Sequence, residues 1–309
     1  MMGSALIPVR TLKSLLAGFV EVPADADVEI SALVSDSRNV VRGALFLGIR
    51  GDRLDGREYV PEAVQAGATA VVCDAEWKAP DGLAVPCFVV DDLRRKIALI
   101  ANRFYGFPSR VLCIVGLTGT NGKTTIAWLL RAIWQAAGHR SGLLGTIEYD
   151  DGGPTQQAEL TTPDPATLAS WLAAMVARGT THAAMELSSH ALDQDRARCV
   201  ALDAAILSNL TRDHFDYHGD WAGYAAAKSA ILELCAPSGT VIYNADDPRI
   251  VSMVKEAPRE TLEGRRLCSF GIEHEADVMA EVLEESVAGS RFLLKHRKAG
   301  STERGSWEV

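Results

Sequence analysis

No Cys-x-x-Cys pair occurs among the six cysteines of this 309-residue chain, which stand apart at Cys73, Cys87, Cys113, Cys199, Cys235 and Cys268. Several fall inside apolar, strand-like runs, and the set reads as buried thiols in a reducing cytosol. Long apolar runs are missing as well. The stretch 15–22 is broken by Gly18 and Glu21, and nothing later approaches a membrane span, so the chain reads as cytoplasmic with no membrane partner. Basic excess is also absent. The formal net charge is −9, which disfavours nucleic acid as a partner and leaves any phosphate to be held by a local site. A small nucleotide is the predicted ligand. No internal repeat or low-complexity tract is visible. His-Glu-x-x-His does not occur, and Ser188 and Ser189 lack the Gly-x-Ser-x-Gly elbow, so nothing supports zinc or a serine acyl-enzyme.

What is present is an alternation of apolar runs and helix-like segments. With 48% hydrophobic and 23% charged residues, the chain is soluble and globular, and long enough for two domains with separate cores. A short helix is predicted over 11–16, a strand over 28–34 and another over 43–49. A polar, glycine-punctuated loop over 50–57 follows, suited to wrapping a ligand. A helix over 59–66, strands over 70–73 and 88–90 and a helix over 93–104 complete an α/β unit. The turn-rich Gly106-Phe107-Pro108-Ser109 sets a boundary near Arg110, giving domains of 1–109 and 110–309.

The second domain opens on the stretch that organises the rest. An apolar strand over 111–115 feeds Thr118-Gly119-Thr120-Asn121-Gly122-Lys123-Thr124, and a helix over 126–137 follows at once. Strand, loop and helix in this order make a phosphate loop. Its glycines let several N–H groups face one anion, the helix N-terminus adds partial positive charge, and Lys123 supplies a full one. Thr124 presents a hydroxyl to Mg²⁺ bridging nucleotide phosphates. The usual spacing wants glycine where Leu117 stands; Gly119 sits inside the loop instead.

Further on, strands are predicted over 142–146, 182–187, 204–207 and 240–243, with a hairpin-like segment over 148–157. Asp164 can cap a helix over 165–178 with Pro165 in its first turn, and 224–234 reads as helix. Polar clusters recur at the carboxyl ends of the apolar strands, where an open α/β sheet places its ligands. Strand-like runs at 278–282 and 291–294 then give way to a basic, polar stretch over 295–309, expected as loop or frayed end. Among the clustered residues, Glu186 is a hard-oxygen candidate for Mg²⁺. His214 and His218 have helix-like spacing, with His214 the better ligand and His218 an ordinary polar loop residue. Lys228, taken alone, is a solvated helix lysine.

The phosphate loop, Glu186-Leu187-Ser188-Ser189-His190, Asn209-Leu210-Thr211-Arg212-Asp213-His214-Phe215-Asp216-Tyr217-His218 and Tyr224-Ala225-Ala226-Ala227-Lys228 together resemble the ATP-dependent Mur ligases, over about residues 35–294. The front domain, with Asp36-Ser37-Arg38 and Gly51-Asp52-Arg53-Leu54-Asp55-Gly56-Arg57, looks most like the MurE branch, which adds an amino acid to a UDP-N-acetylmuramoyl-dipeptide in peptidoglycan synthesis. The resemblance implies a small α/β uridine-binding domain followed by a phosphate-loop mononucleotide-binding domain with a mostly parallel sheet. It also implies the chemistry. ATP phosphorylates the D-glutamate side chain of UDP-N-acetylmuramoyl-L-alanyl-D-glutamate, and the amine of diaminopimelate or L-lysine displaces phosphate from the acyl phosphate.

By the same resemblance, Thr118, Gly119, Thr120, Asn121, Gly122, Lys123 and Thr124 bind the nucleotide. Thr124, Glu186, His214 and a carbamylated Lys228 hold Mg²⁺, with Lys123, Lys228 and His214 serving catalysis. Ser37 contacts the uridine moiety, while Thr161, Thr162, Ser188, Gln194 and Arg196 hold the muramoyl-dipeptide. Family members continue past the 291–294 strand into an adenine-contacting segment and a third, Rossmann-like domain, neither found in this sequence. The central sheet is therefore expected to be unfinished, 301–309 to be a terminus acquired by truncation or frame change, and ligase turnover by this chain alone to be weak or absent. Two other readings stand beside this one: a folylpolyglutamate synthase-like ligase, and a non-catalytic module that binds the UDP-precursor.

Overall fold

A computed structural model of the chain describes residues 8–51, 54–80, 82–286, 289–297 and 304–308; Asp52 and Arg53 of the polar front loop lie outside them. At the start, β1 (Arg10–Thr11) and β2 (Glu29–Ile30) pair antiparallel. Between them the helix Leu12–Leu16 is capped by the Thr11 hydroxyl and buries Leu12, Leu15 and Leu16. Next, β3 (Ala32–Val34), β4 (Ala44–Gly48), β5 (Ala68–Cys73) and β6 (Cys87–Val89) form a parallel sheet in that order. The strand expected over 28–34 is thus two strands. They divide at Ser31, whose N–H turns to the Gly43 carbonyl at 2.8 Å. In β4, Leu45 and Leu47 enter one apolar cluster and Phe46 another, which is why the strand reads as an unbroken apolar run.

The larger sheet is built from β7 (Cys113–Thr118), β8 (Ser141–Leu144), β9 (Glu148–Asp150), β10 (Gln156–Gln157), β11 (His182–Glu186), β12 (Leu202–Leu207), β13 (Cys235–Asn244), β14 (Arg266–Gly271), β15 (Val278–Ser286), β16 (Gly289–Arg297) and β17 (Arg304–Glu308). Across the sheet they run β10-β9-β8-β11-β7-β12-β13-β14-β15-β16-β17. From β8 to β15 every pairing is parallel; β9, β10, β16 and β17 add antiparallel flanks. From β7 the chain builds β8 and β11 on one side, then crosses to β12, β13 and β14 on the other. Connections therefore diverge at β7, the place where such sheets open a ligand crevice. The expectation for 295–309 needs correction: β16 extends to Arg297, and β17 pairs with it, Leu294 opposite Trp307. The intervening residues 298–303, and Val309, lie outside the described set.

Alternation along β7 explains how the sheet is covered. Ile114, with Leu112 just before the strand, faces a large cluster with Leu168, Leu172 and Met175 of the helix Pro165–Ala177. Val115 and Leu117 face the opposite side, against Ala127 of the helix Lys123–Ala136. Asp164 caps the former helix by accepting from the N–H groups of Ala166 and Thr167. The helix expected over 224–234 is two, Trp221–Ser229 and Ile231–Leu234; it starts early because Asp220 accepts from the Gly223 N–H at 2.9 Å. A small cluster of Ala101, Ala166 and Ala169 joins the helix Leu93–Tyr105 to the helix Pro165–Ala177. Among the described residues, no helix is long and apolar enough to cross a membrane.

Candidate active site

The carboxyl ends of β8, β11, β7 and β12 lie side by side, and the predicted phosphate loop begins there. Thr118, the last residue of β7, is buried and donates its hydroxyl to the Leu187 carbonyl at 2.9 Å. Gly119 follows at φ +147°, and a Cβ there would stand 1.9 Å from Ser208 Oγ; no side chain fits. Gly122, at φ +86°, turns the chain into the helix that Lys123 starts. The loop is clamped from the β12 side. Asn209 accepts from the Thr120 N–H through its carbonyl and from the Asn121 N–H through Oδ1, both at 2.9 Å, and returns a bond from Nδ2 to the Asn121 carbonyl at 3.0 Å. The Thr120 hydroxyl accepts from the Thr211 N–H at 2.9 Å and lies 3.1 Å from Tyr224 Oη.

Two ammonium groups close on this loop. Lys123 Nζ donates to the carbonyls of Gly119 (2.8 Å) and Thr120 (3.0 Å), and Lys228 Nζ donates to the Gly119 carbonyl at 2.9 Å. Lys228 is no solvated helix lysine. It is only 2% exposed, with its Nζ 4.8 Å from the centre of the Tyr224 ring. Burial pushes its pKa down to about 7, and the charge on Lys123 adds to the effect. Burial lowers Lys123 as well, against the pull of Glu186 and Asp213.

Glu186, at the end of β11, is completely buried. Its Oε2 accepts from the hydroxyls of Thr124 (2.9 Å) and Thr146 (3.0 Å), and its Oε1 from the Thr146 N–H at 3.0 Å. Every one of these donors is neutral, so a buried carboxylate stands here without a hydrogen-bonded cation among the described residues, an arrangement that suits a divalent ion. The main chain beside it is held by Thr162, whose hydroxyl donates to the Glu186 carbonyl at 2.8 Å and accepts from the Ser188 N–H at 3.1 Å. Thr161 Oγ1 lies 3.1 Å from Thr146 Oγ1. Arg196 donates to the Thr162 carbonyl at 2.9 Å and, through Nε and Nη2, to Gln194 Oε1 at 3.0 and 2.7 Å.

His214 adopts φ +51°, with Nε2 3.4 Å from Asp213 Oδ2 and its ring 4.8 Å from that of His190. His218 is a corrected expectation: it ends the one-turn helix Phe215–His218, its ring packs against His190, Tyr217 and Tyr224, and its buried Nε2 finds no hydrogen-bond partner among the described residues. Burial, then the neighbouring His214 and His218, lower the His190 pKa. Among the described residues, no group of three or more His, Cys, Asp or Glu side chains is arranged to hold a metal. Ser37 belongs to a different neighbourhood, where it opens the short helical turn Ser37–Asn39 after β3 of the front sheet and is buried.

Three site residues carried too weak a sequence signal to be selected: Thr146, Asn209 and Tyr224. Thr146 lies just past β8, after Gly145, in a segment that resembles any turn. Asn209 and Tyr224 lie inside stretches that drew attention for other residues, and only the folded loop gives them partners.

A glycine-containing loop between a central parallel strand and a helix, with lysine and threonine opening that helix, defines the phosphate-loop class of α/β proteins. Within it, the chain belongs to the Mur ligase family: residues 117–304 match the Mur ligase middle domain and residues 29–105 the Mur ligase family catalytic domain. The chain is 39% identical, over 92% of its length, to the UDP-N-acetylmuramoyl-L-alanyl-D-glutamate--2,6-diaminopimelate ligase of Parabacteroides distasonis. It is also 39% identical, over 87% of its length, to the enzyme of the same name from Halalkalibacterium halodurans. It spans 57% and 54% of these relatives' own lengths. A solved structure of a protein with that name superposes with a TM-score of 0.80 at 26% identity, covering 97% of this chain and 59% of the other.

Proposed function

We propose that the chain carries the nucleotide- and precursor-binding machinery of an ATP-dependent amide ligase acting on UDP-N-acetylmuramoyl-L-alanyl-D-glutamate, with residues 1–109 taking the uridine end and residues 110–309 the nucleotide. Diaminopimelate is the amino acid named for its relatives, and L-lysine is the other candidate. The observation that carries this reading is Glu186, a fully buried carboxylate bonded to the Thr124 hydroxyl at the start of the phosphate-loop helix. Such a group fits Mg²⁺ held against a polyphosphate. The front region's own family match weighs against the folylpolyglutamate synthase-like alternative. The proposed location is the cytoplasm.

ATP supplies the phosphoryl group that activates the D-glutamate side chain for attack by an amine. This chain's residues position and neutralise. Lys123 exchanges its loop carbonyls for phosphate oxygens, and the loop N–H groups and helix N-terminus hold the same charge. Thr124, Glu186 and His214 offer ligands to Mg²⁺. Lys228 would join them as a carbamate: burial brings its pKa to about 7, leaving much of it as the free amine, whose nitrogen adds to the carbon of CO₂ and releases one proton to solvent, giving a carboxylate-like ligand. Thr161, Thr162, Ser188, Gln194 and Arg196 receive the muramoyl-dipeptide, and Ser37 the uridine end.

The test is phosphate release from ATP with Mg²⁺ and UDP-N-acetylmuramoyl-L-alanyl-D-glutamate, with and without diaminopimelate or lysine. Amino-acid-dependent release that disappears in Lys123→Ala supports the ligase. Precursor binding without any release sinks catalysis by this chain and leaves a binding module.

A further inference from the structure

Glu186 dictates which way the hydroxyl groups around it point. A carboxylate accepts hydrogen bonds and donates none, whereas a threonine hydroxyl has one proton and two lone pairs. The hydroxyls of Thr124 and Thr146 both donate to Oε2, at 2.9 and 3.0 Å, so each has committed its only proton. The 3.1 Å contact between Thr146 Oγ1 and Thr161 Oγ1 can then run in one direction: Thr161 donates and Thr146 accepts. Thr146 is fastened to the carboxylate at a second point through its own N–H, 3.0 Å from Oε1. Gly145 before it is required by the same approach, since a Cβ there would stand 2.3 Å from Oε1.

We propose that Thr146 is a positioning residue, which with Gly145 locks the Glu186 carboxylate and orients the threonine hydroxyls so that Thr124 and Thr161 meet their ligands with lone pairs only. The inference rests on the reading of Glu186 as a divalent-cation ligand given above. Its chemical content is a polarity. Thr124 faces a cation, and Thr161 faces a ligand atom that donates, an N–H or O–H of the peptide portion, rather than a carbonyl or phosphate oxygen. Thr146 itself touches neither cation nor substrate and acts through its two neighbours.

The experiment is Mn²⁺ titration in the presence of ATP, followed through the free-Mn²⁺ electron paramagnetic resonance signal, on the full chain and on Thr146→Val, Thr146→Ala and Thr146→Ser. Thermal unfolding without cation runs in parallel. Thr146 is solvent-exposed, so the Val and Ala variants are expected to fold, and the pair guards against one failing. Loss of the hydroxyl weakens Mn²⁺ binding by about tenfold, the scale of losing an outer-shell partner, and Thr146→Ser restores it. A merely structural threonine would lower the melting temperature and leave Mn²⁺ affinity unchanged; that result, or a serine variant as weak as valine, overturns the proposal. If the unsubstituted chain binds no Mn²⁺ with ATP, the reading of Glu186 has failed and the inference fails with it.

Discussion

Lys123 and Lys228 reach the same oxygen, the Gly119 carbonyl, from 2.8 and 2.9 Å. Burial, nearly complete at Lys228 and partial at Lys123, disfavours both charges, and the ammonium of Lys123 adds to the effect at Lys228. The deeper of the two, Lys228, falls to about 7. An amine that is substantially neutral near pH 7 is nucleophilic toward CO₂. With ¹³C-labelled bicarbonate, a carbamate carbon resonance is expected in the native protein and absent from Lys228→Ala. Its intensity is expected to fall as pH drops below 7 and the amine protonates. A signal of equal strength in Lys228→Ala would show that the carbamate forms elsewhere.

Gly119→Ala tests the loop geometry. The new methyl would overlap Ser208 Oγ at 1.9 Å and would have to accept φ +147°, a backbone region that costs a side chain about 1–3 kcal/mol. The Asn209 clamp would have to loosen to admit it. ATP affinity is expected to fall at least about tenfold, the equivalent of 1.4 kcal/mol, while the front sheet keeps its packing. Calorimetric titration of ATP into the variant checks this, and unchanged affinity would mean that the loop is not where phosphate binds.

Asp246 supplies a pH dependence. Burial alone would raise its carboxyl, but the N–H groups of Ile272, His274 and Glu273, with the His274 ring, outweigh it and hold the pKa below 3.8. A depressed folded-state value means that the unfolded chain protonates first as pH falls. The contribution is therefore present above the ordinary carboxylate pKa and lost as pH drops through the lower, folded one. Asp246→Asn is expected to cost about 1–3 kcal/mol in urea unfolding at neutral pH. That difference from the unsubstituted chain is expected to shrink at about pH 3; a constant difference across the range would place the effect in packing.

The parts of the site that were legible in the sequence are those where one local segment dictates both structure and chemistry. Strand, glycine turn and lysine-threonine helix start occupy consecutive residues, so their order could be read directly. The same holds for Asp164 and Pro165 at a helix N-terminus. Illegible were the partnerships that need segments distant in sequence to be brought together by the fold: Thr146 with Glu186, Asn209 with Asn121, and Lys228 with Gly119. Nothing local to Lys228 announces burial, because its neighbours are alanines that serve equally well on a solvated helix; the resemblance alone pointed to it. The split at Ser31 and the late strand β17 fail for the same reason. Each depends on a partner strand whose position the local pattern does not encode.

Tyr217 is a case where a chain of hydrogen bonds makes a separable prediction. Its hydroxyl donates to Asp193 Oδ2 at 2.8 Å and accepts from Gln194 Nε2 at 3.1 Å. The carboxylate fixes the direction of the tyrosine proton, which in turn fixes the Gln194 amide so that Oε1 faces Arg196. Arg196 also donates to the Thr162 carbonyl, and Thr162 in turn holds the strand end that carries Glu186. Tyr217→Phe frees the amide to rotate but leaves the phosphate loop, Lys123 and Lys228 untouched. Affinity for UDP-N-acetylmuramoyl-L-alanyl-D-glutamate is expected to fall about five- to tenfold, the scale of one net hydrogen bond, while ATP affinity stays the same. Calorimetric titration with each ligand separates the two. A matched loss of both would mean that Tyr217 supports the whole site, and full retention of precursor binding would remove Gln194 and Arg196 from the precursor subsite.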